Sequence, residues 1–305
     1  MPVDVNRPGP WTHRNLTARG TRFHVALAGP EAPTGAETVG PLTLLVHGFP
    51  ECWWTWRHVI PALAQAGHRV AALDLRGFGG SDRPPSGYDL VTLAQDLAAV
   101  VRSLGHERAV VVGAGLGGQV AWALPHLAPD LTTAIVPVGA PHPLALRSLR
   151  ARALSGPALQ YVSLRIPGLA ERRLRSRSAL EGLLRSWAGP HTREAVAEEA
   201  PYYAELLSRP GAARSALEPL RNLVLSRAET AALDKPVTVP VLSVQGELDP
   251  VQPAQAYARD THHVAGNLRQ ATIRRSGHFP QEETPAGFVR ALLPFLADVA
   301  PPTSA

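Results

Sequence analysis

The sequence predicts an α/β fold: a mostly parallel sheet covered by helices on both faces, with a helical segment inserted. Three observations predict it. From Leu42 to Val138, short β-branched apolar runs alternate with stretches of helical spacing, the pattern of a parallel sheet with crossover helices. From Leu144 to about Ala232 the alternation stops. Arginine-rich helical stretches take over, with breaks expected at Pro157, Pro167, Pro190, Pro210 and Pro219. The strand pattern then returns at Thr238 and ends in a last helix. The expected division is a first core part at 1–140, a helical cap at 141–232 and a second core part at 233–305.

Each element has its own signal. Thr21–Ala28 alternates and reads as an early strand, and Pro30–Gly40 reads as a loop. Leu42–Val46 is a buried strand running into His47-Gly48-Phe49-Pro50-Glu51, and Trp53–Ala66 reads as one helix. Arg69–Leu75 is the next strand, followed by the turn-rich RGFGGSDRPPSGYD. Leu90, Leu93, Leu97, Val101 and Leu104 recur at helical spacing, so that segment lays one face on the sheet. AVVV from Ala109 is a buried strand, Leu131–Val138 another, and each ends in a glycine turn. Thr238–Gly246 is a strand ending in Glu247-Leu248-Asp249-Pro250, and a helix covers Pro253–Arg259. Arg269–Arg274 is the last strand, leading into Ser276-Gly277-His278, and Pro285–Val299 closes the chain as a helix.

Composition narrows the function classes. A 305-residue chain that is 45% hydrophobic and 18% charged suits one large domain with an insertion. The single cysteine, Cys52, leaves no internal disulfide and no cysteine-rich metal cluster. The opening MPVDVNRPGPWTHRN lacks the basic-then-apolar order of a secretory signal. No apolar stretch approaches the roughly 20 residues of a membrane span, so a cytoplasmic location is expected. The net charge of +5 rests almost wholly on arginine, Lys235 being the one lysine. No basic stripe with interleaved aromatics marks a nucleic-acid partner.

The chemistry is expected around AVVVGAGLGGQVAW, residues 109–122. A strand, a glycine turn and a helix bring backbone amides together at a ligand or a developing anion. Gly113, Gly115 and Gly118 satisfy the dinucleotide pattern G-x-G-x-x-G. That motif calls for an acidic residue ending the following strand, and here that strand ends Val138-Gly139-Ala140. The same glycines fit a nucleophile elbow with Gly113 and Gly117 as its small residues and Gly115 at the nucleophile position. A plain tight turn is the third reading. The order elbow, Asp249, His278 favours the elbow, because it is the order of a hydrolase triad on an α/β sheet.

The motifs HGFPECWWTWR (47–57), DLRGFGGSDRP (74–84), GAPHP (139–143), IPGLAE (166–171), GELDP (246–250) and SGHFPQEETP (276–285) follow one another in order. With them the chain resembles the epoxide-hydrolase-like family of the α/β-hydrolase superfamily, relatives of the haloalkane dehalogenases. The resemblance spans nearly the whole chain and implies an α/β-hydrolase fold with a helical cap. It implies no cofactor and no metal. In that family an elbow aspartate attacks the epoxide carbon to form an ester. A His–Asp pair then activates water against the ester, two amides hold the oxyanion, and two cap tyrosines hold the epoxide oxygen.

Carried onto this chain, the resemblance makes His278 the base, Asp249 its orienting acid, and the backbone amides of Phe49 and Leu116 the oxyanion hole. His47 is expected to serve the turn and to transfer no proton. Trp53, Gln160, Tyr161 and Leu220 are the expected pocket and cap positions. The departures are specific. The elbow G-H-D-W-G-G of the family reads Gly113-Ala114-Gly115-Leu116-Gly117-Gly118 here, so the attacking aspartate falls on Gly115. One cap tyrosine falls on Gln160, with Tyr161 its neighbour, and the other falls on Leu220 before Arg221-Asn222. Removing a nucleophile costs on the order of 10⁶ in kcat, roughly 8 kcal/mol, so covalent epoxide opening is expected to be absent or very weak.

Several expectations follow. Water activated by His278 and Asp249 hydrolyses an ester, lactone or epoxide, or Cys52 substitutes as nucleophile. Alternatively the chain is an inactive binding or regulatory protein, holding a small apolar molecule between core and cap. The arginines of the insertion (Arg147, Arg150, Arg152, Arg165, Arg172, Arg173, Arg175, Arg177 and Arg185) form either a solvated face or a surface for an anionic membrane or partner. The oligomeric state has no signature in the sequence.

Overall fold

A hairpin precedes the expected alternation. In this computed structural model, which describes residues 4–31, 41–145, 163–222 and 225–301, strands β1 (Thr12–Ala18) and β2 (Thr21–Ala28) pair antiparallel. They turn at Arg19 and Gly20, both with positive φ, 51° and 71°. That left-handed pair matches the twist of a two-residue hairpin. The sequence pattern marks β2 alone, because β1 alternates weakly and lies largely exposed.

Beyond the hairpin the strands fall where the apolar runs put them: β3 (Leu42–Val46), β4 (Val70–Leu73), β5 (Ala109–Ala114), β6 (Thr132–Val138), β7 (Val241–Gly246) and β8 (Leu268–Ile273). They make one eight-stranded sheet in the order β1-β2-β4-β3-β5-β6-β7-β8. The pairs from β4 to β8 are parallel, while β2 joins β4 antiparallel. Every residue of β3, β4 and β5 is buried, as strands covered on both faces must be.

The order locates the site before any side chain is considered. The chain steps outward from β3 to β4, returns to lay β5 on the other side of β3, and continues to β8. The direction therefore reverses between β3 and β5, where Val46 lies beside Gly113. Ligands in open α/β sheets bind outside the carboxyl ends of strands at such a reversal. The loops leaving β3 and β5 are those carrying Phe49 and Gly115.

Helices α1 (Ile60–Gln65), α2 (Leu90–Ser103) and α3 (Leu116–Leu127) connect the first strands. Asp89 caps α2 by accepting from the Thr92 N–H at 2.9 Å. The single helix expected over Trp53–Ala66 is instead a 3₁₀ turn at Trp53–Trp56 and then α1. Pro61 explains the restart, since proline favours the first helical turn.

Between β6 and β7 the described residues form helices α4 (Leu169–Arg175), α5 (Arg177–Trp187), α6 (Arg193–Ala197), α7 (Ala200–Leu207), α8 (Ala212–Arg221) and α9 (Arg227–Leu233). Pro219 does not break the chain as expected. It sits inside α8, two residues before that helix ends, where the missing N–H loosens only the last turn. Ser176 caps α5, and Ser226 with Glu229 forms a capping box on α9. Pro157, Gln160, Tyr161, Arg147, Arg150 and Arg152 lie outside the described residues. Several of the remaining arginines are engaged within the insertion, Arg177 with Glu181 and Arg185 with Glu181 and Glu194. Among the described residues no helix is long and apolar enough to cross a membrane.

The rest of the chain is α10 (Ala254–Ala258), α11 (Pro280–Glu283) and α12 (Pro285–Val299). The insertion is tied to the sheet side through Arg57. Its guanidinium meets Glu199 at 3.1 Å and Glu282 at 2.6 Å, and the Trp54 indole N–H also donates to Glu199.

Candidate active site

Three of the four elbow glycines are sterically compelled. A Cβ on Gly113 would stand 2.2 Å from the Gly117 carbonyl oxygen. One on Gly117 would stand 2.4 Å from the Val46 oxygen, and one on Gly118 would stand 2.5 Å from the Ala140 Cβ. None of these approaches accommodates a side chain. Gly115 differs. A Cβ there would meet nothing nearer than the Gly48 Cα at 3.6 Å and the His278 Nε2 at 3.7 Å, both ordinary contacts.

Gly115 still adopts a strained turn, with φ 47° and ψ −109°. Its N–H is anchored on the Val138 oxygen at 2.8 Å. Glycine takes this conformation without the steric cost that a Cβ imposes. Residue 115 thus points its missing side chain at His278.

Asp249 and His278 are brought together by two adjacent loops. Glu247 N–H donates to the Ile273 oxygen and Leu248 N–H to the Ser276 oxygen, at 2.9 and 2.8 Å. The Glu247 carboxylate in turn accepts from the Arg275 N–H. These bonds hold the ends of β7 and β8 side by side. The His278 Nδ1 then lies 3.1 Å from the Asp249 Oδ2, with the Asp249 side chain 1% exposed. The other Asp249 oxygen accepts from the backbone N–H groups of Val251 and Gln252 at 2.8 and 3.1 Å. Asp249 both forms its turn and orients the imidazole. With Nδ1 donating to a carboxylate, Nε2 is left toward residue 115 and has no hydrogen-bond partner among the described residues.

Gly139, at the end of β6, makes room for the ring. Its φ is 60°, and a Cβ there would lie 2.9 Å from the His278 oxygen and 3.4 Å from the ring. The Trp187 indole stands edge-on to the imidazole at 5.6 Å, and Phe279 does so at 5.4 Å. Phe49 and Leu116 are both buried. Among the described residues neither backbone N–H donates a hydrogen bond. Leu116 opens a 12-residue helix, whose first N–H groups have no intrahelical acceptor.

The other expected positions divide. His47 is fully buried, its Nδ1 2.7 Å from the Gly48 oxygen and its Nε2 accepting from the Leu75 N–H. It braces the turn, and burial lowers its pKa. Trp53 packs among Trp11, His13, His24 and Trp54, with its indole N–H on the Val5 oxygen. Its described contacts thus lie toward the N-terminal segment rather than His278. Leu220 is buried in α8. Cys52 is buried, and burial, with the Asp74 charge second, pushes its thiol up, which counts against its reading as a substitute nucleophile.

Two features escaped the sequence reading. Glu283 accepts from the N–H of Gly189 at 2.7 Å, Gly277 at 2.8 Å and Phe279 at 2.9 Å, and from the Thr192 hydroxyl. It lies within SGHFPQEETP, but nothing in that string names Gly189 as a partner. Glu51 is the second. It is fully buried, accepts from the Thr55 hydroxyl at 2.6 Å, and has its pKa raised to about 8, first by burial and then by Glu282.

This fold, with its elbow, its paired Asp249 and His278 and its free amides, defines a class: the chain belongs to the α/β-hydrolase fold family, matched over residues 41–285, and within it is epoxide-hydrolase-like. It is 31% identical to Epoxide hydrolase A of Mycobacterium tuberculosis, over 93% of this chain and 97% of that one. It is 44% identical to Epoxide hydrolase B of the same organism over 131 residues, a stretch covering 42% of this chain and only 35% of that relative. The solved structure of an epoxide hydrolase from an endophytic Streptomyces superposes with a TM-score of 0.78 at 28% identity, covering 95% of this chain and 96% of that one.

Proposed function

We propose that this chain is a hydrolase that activates water directly, with no ester to the protein. One observation carries the reading: residue 115 offers room and no nucleophile, while His278 keeps its Asp249 partner and turns Nε2 toward that room. Water held there gives its proton to Nε2, and Asp249 stabilises the imidazolium that results. The Phe49 and Leu116 N–H groups hold the oxygen on which charge develops. This donor pair suits an acyl carbonyl, as in an ester or lactone, better than an epoxide. An epoxide oxygen needs a proton donor from the cap side, and Leu220 supplies none. We read residues 141–232 as a cap that encloses a small apolar substrate.

The test is turnover of activated esters, lactones and epoxides by the purified protein beside His278→Ala. The expected result is ester or lactone turnover, reduced about 10²–10⁴-fold in the variant. Turnover unchanged by His278→Ala overturns the proposal. The second reading, a binding protein on the same scaffold, is favoured by the glycine at 115. It is supported by stoichiometric ligand binding without product.

A further inference from the structure

We propose that residues 4–11 are a strap closed onto the insertion by a proton stored on His13 and His24, and that the strap loosens when this proton leaves. The inference goes beyond the hydrolytic reading and does not depend on it. Four groups lie in a row. The His24 Nδ1 is 2.8 Å from the Asp74 Oδ2, the His24 Nε2 is 2.9 Å from the His13 Nδ1, and the His13 Nε2 is 2.9 Å from the Arg7 carbonyl oxygen. The middle contact sets nitrogen against nitrogen, not face on face. The planes of His13 and His24 differ by 20° with centroids 5.1 Å apart, whereas the face-stacked rings of His142 and His263 are 3.9 Å apart. Each contact in the row is at hydrogen-bond length and takes one hydrogen. The Arg7 carbonyl supplies none, and two neutral imidazoles beside an ionised carboxylate hold only two. The row is therefore complete only with one extra proton, which makes the histidine pair the counter-ion of Asp74.

The surroundings decide which contact yields. Asp74 is fully buried and also accepts from the N–H groups of Trp53 and Gly80, both at 2.8 Å. Burial works against its charge, but the His24 bond and these donors outweigh it and hold the carboxyl below its ordinary range. His24 is buried too and keeps its Nδ1–H on Asp74. Without the extra proton, His13 either donates to His24 and faces the Arg7 oxygen with a bare Nε2, or donates to Arg7 and opposes a second lone pair. Either way His13, the half-buried member, gives up one contact. Burial is the largest influence on His13 and pushes its pKa down, with the Arg7 carbonyl next and pushing it up. The bonds hold the proton against burial, so the strap is favoured in acid and loosens as pH rises.

The other ionisable groups around the row leave this sign in place. Asp4 acts on His13 in favour of the proton. His47, Cys52 and Tyr202 surround Asp74, and Arg22, beside His24, is held by Asp82 at 3.2 Å. Arg7 carries the effect outward. Its guanidinium lies over the rings of Trp54 at 4.2 Å and Tyr202 at 4.3 Å and meets Glu199 at 3.4 Å. Tyr202 and Glu199 belong to the insertion, and Glu199 is shared with Arg57. The Trp11 indole also donates to the Arg7 oxygen at 2.9 Å, and the Trp53 indole to the Val5 oxygen at 3.0 Å, so the strap loosens rather than detaches.

Two NMR measurements on the full chain test this without any substrate. Nitrogen-15 spectra of the His13 and His24 rings, from about pH 5 to about pH 9, count their hydrogens. The pair should pass from three ring hydrogens to two in one shared step. Solvent exchange of the Trp11 and Trp54 indole hydrogens, corrected for its intrinsic pH dependence, reads the strap. It should rise at least about tenfold across the same step. His13→Gln keeps an amide donor for the Arg7 oxygen but stores no proton, so its corrected exchange should stay flat within about twofold. Glu51 and Glu282, with pKa values of about 8 and about 7, titrate near this window, and the rise should survive in Glu51→Gln and in Glu282→Gln. Rings that titrate independently, exchange that does not change across the step, an equal rise in His13→Gln, or loss of the rise in either glutamate variant overturns the proposal. The ring count and the exchange rise need no variant, so they decide the matter even if His13→Gln fails to fold. A flat response here leaves the hydrolytic reading standing, and a protein that turns nothing over leaves the strap standing.

Discussion

Gly189 and Gly277 meet backbone to backbone, and one oxygen of Glu283 holds both their N–H groups, at 2.7 and 2.8 Å. Gly189 follows α5 of the insertion, and Gly277 immediately precedes His278. A Cβ on Gly277 would stand 2.3 Å from the Gly189 nitrogen, so the contact is possible only between glycines. Just beyond it, His278 N–H donates to the Trp187 oxygen at 2.9 Å. The imidazole's own loop is therefore seated against the insertion, and Glu283 is the fastener.

Glu283→Ala should leave three backbone donors and the Thr192 hydroxyl without their acceptor. The expected loss is on the order of 3 kcal/mol or more, since unmet buried donors cost about 1–3 kcal/mol each and part of the cost relaxes. Urea unfolding measures it. Glu283→Gln keeps an acceptor and should lose distinctly less; equal losses for the two would show that the carboxyl oxygen is not what matters.

Gly115→Asp should restore a nucleophile that the scaffold still accommodates, at a cost of about 1–3 kcal/mol from the positive φ. Combined with His278→Gln, which removes the base that would release an ester, it should accumulate an adduct with a reactive epoxide. Intact-protein mass spectrometry reads this as a gain of one epoxide mass, and the unaltered protein should show no such gain.

Glu51 supplies a pH dependence with a definite sign. Its folded pKa of about 8 exceeds the ordinary value of 4.5. Between those values the folded chain binds a proton that the unfolded chain does not, so its burial costs more stability as pH rises through the window. Glu51→Gln should be more stable than the parent at pH 8, by about 1 kcal/mol or more, with the difference vanishing near pH 4. Glu282, raised to about 7, leaves the variant a residual slope in the same direction. Thermal unfolding at the two pH values decides it.

Cys52 should be silent. Fully buried with its thiol pushed up, it should resist a maleimide in the folded protein and react at once in urea. Cys52→Ser should leave any turnover within about twofold. A large loss without a loss of stability would return the thiol to the mechanism.

Strands β3 and β5 were legible because burial on both faces leaves uninterrupted apolar runs, and α12 because its apolar spacing is long. Strand β1 was not, since an exposed edge strand carries little of that signal. The pair Asp249 and His278 was legible from motif and order, as each sits just past a predicted strand. Glu283 was not, because its partner Gly189 lies 94 residues away. Its role exists only once the insertion folds back. The burial of Glu51 was equally hidden, since HGFPE does not say which way a glutamate points. The meaning of the four elbow glycines needed coordinates too. The sequence shows four alike, and only coordinates separate three barred by contact from one that has room and is opposed only by its positive φ.

That separation bears on the history open to the protein. Gly113, Gly117 and Gly118 cannot change without dislodging the elbow, whereas residue 115 can vary while its surroundings stay in place. A glycine codon ending in a pyrimidine lies one base from an aspartate codon. At this locus a base change of that kind would exchange glycine for an acidic side chain at the one elbow glycine whose neighbours leave it room.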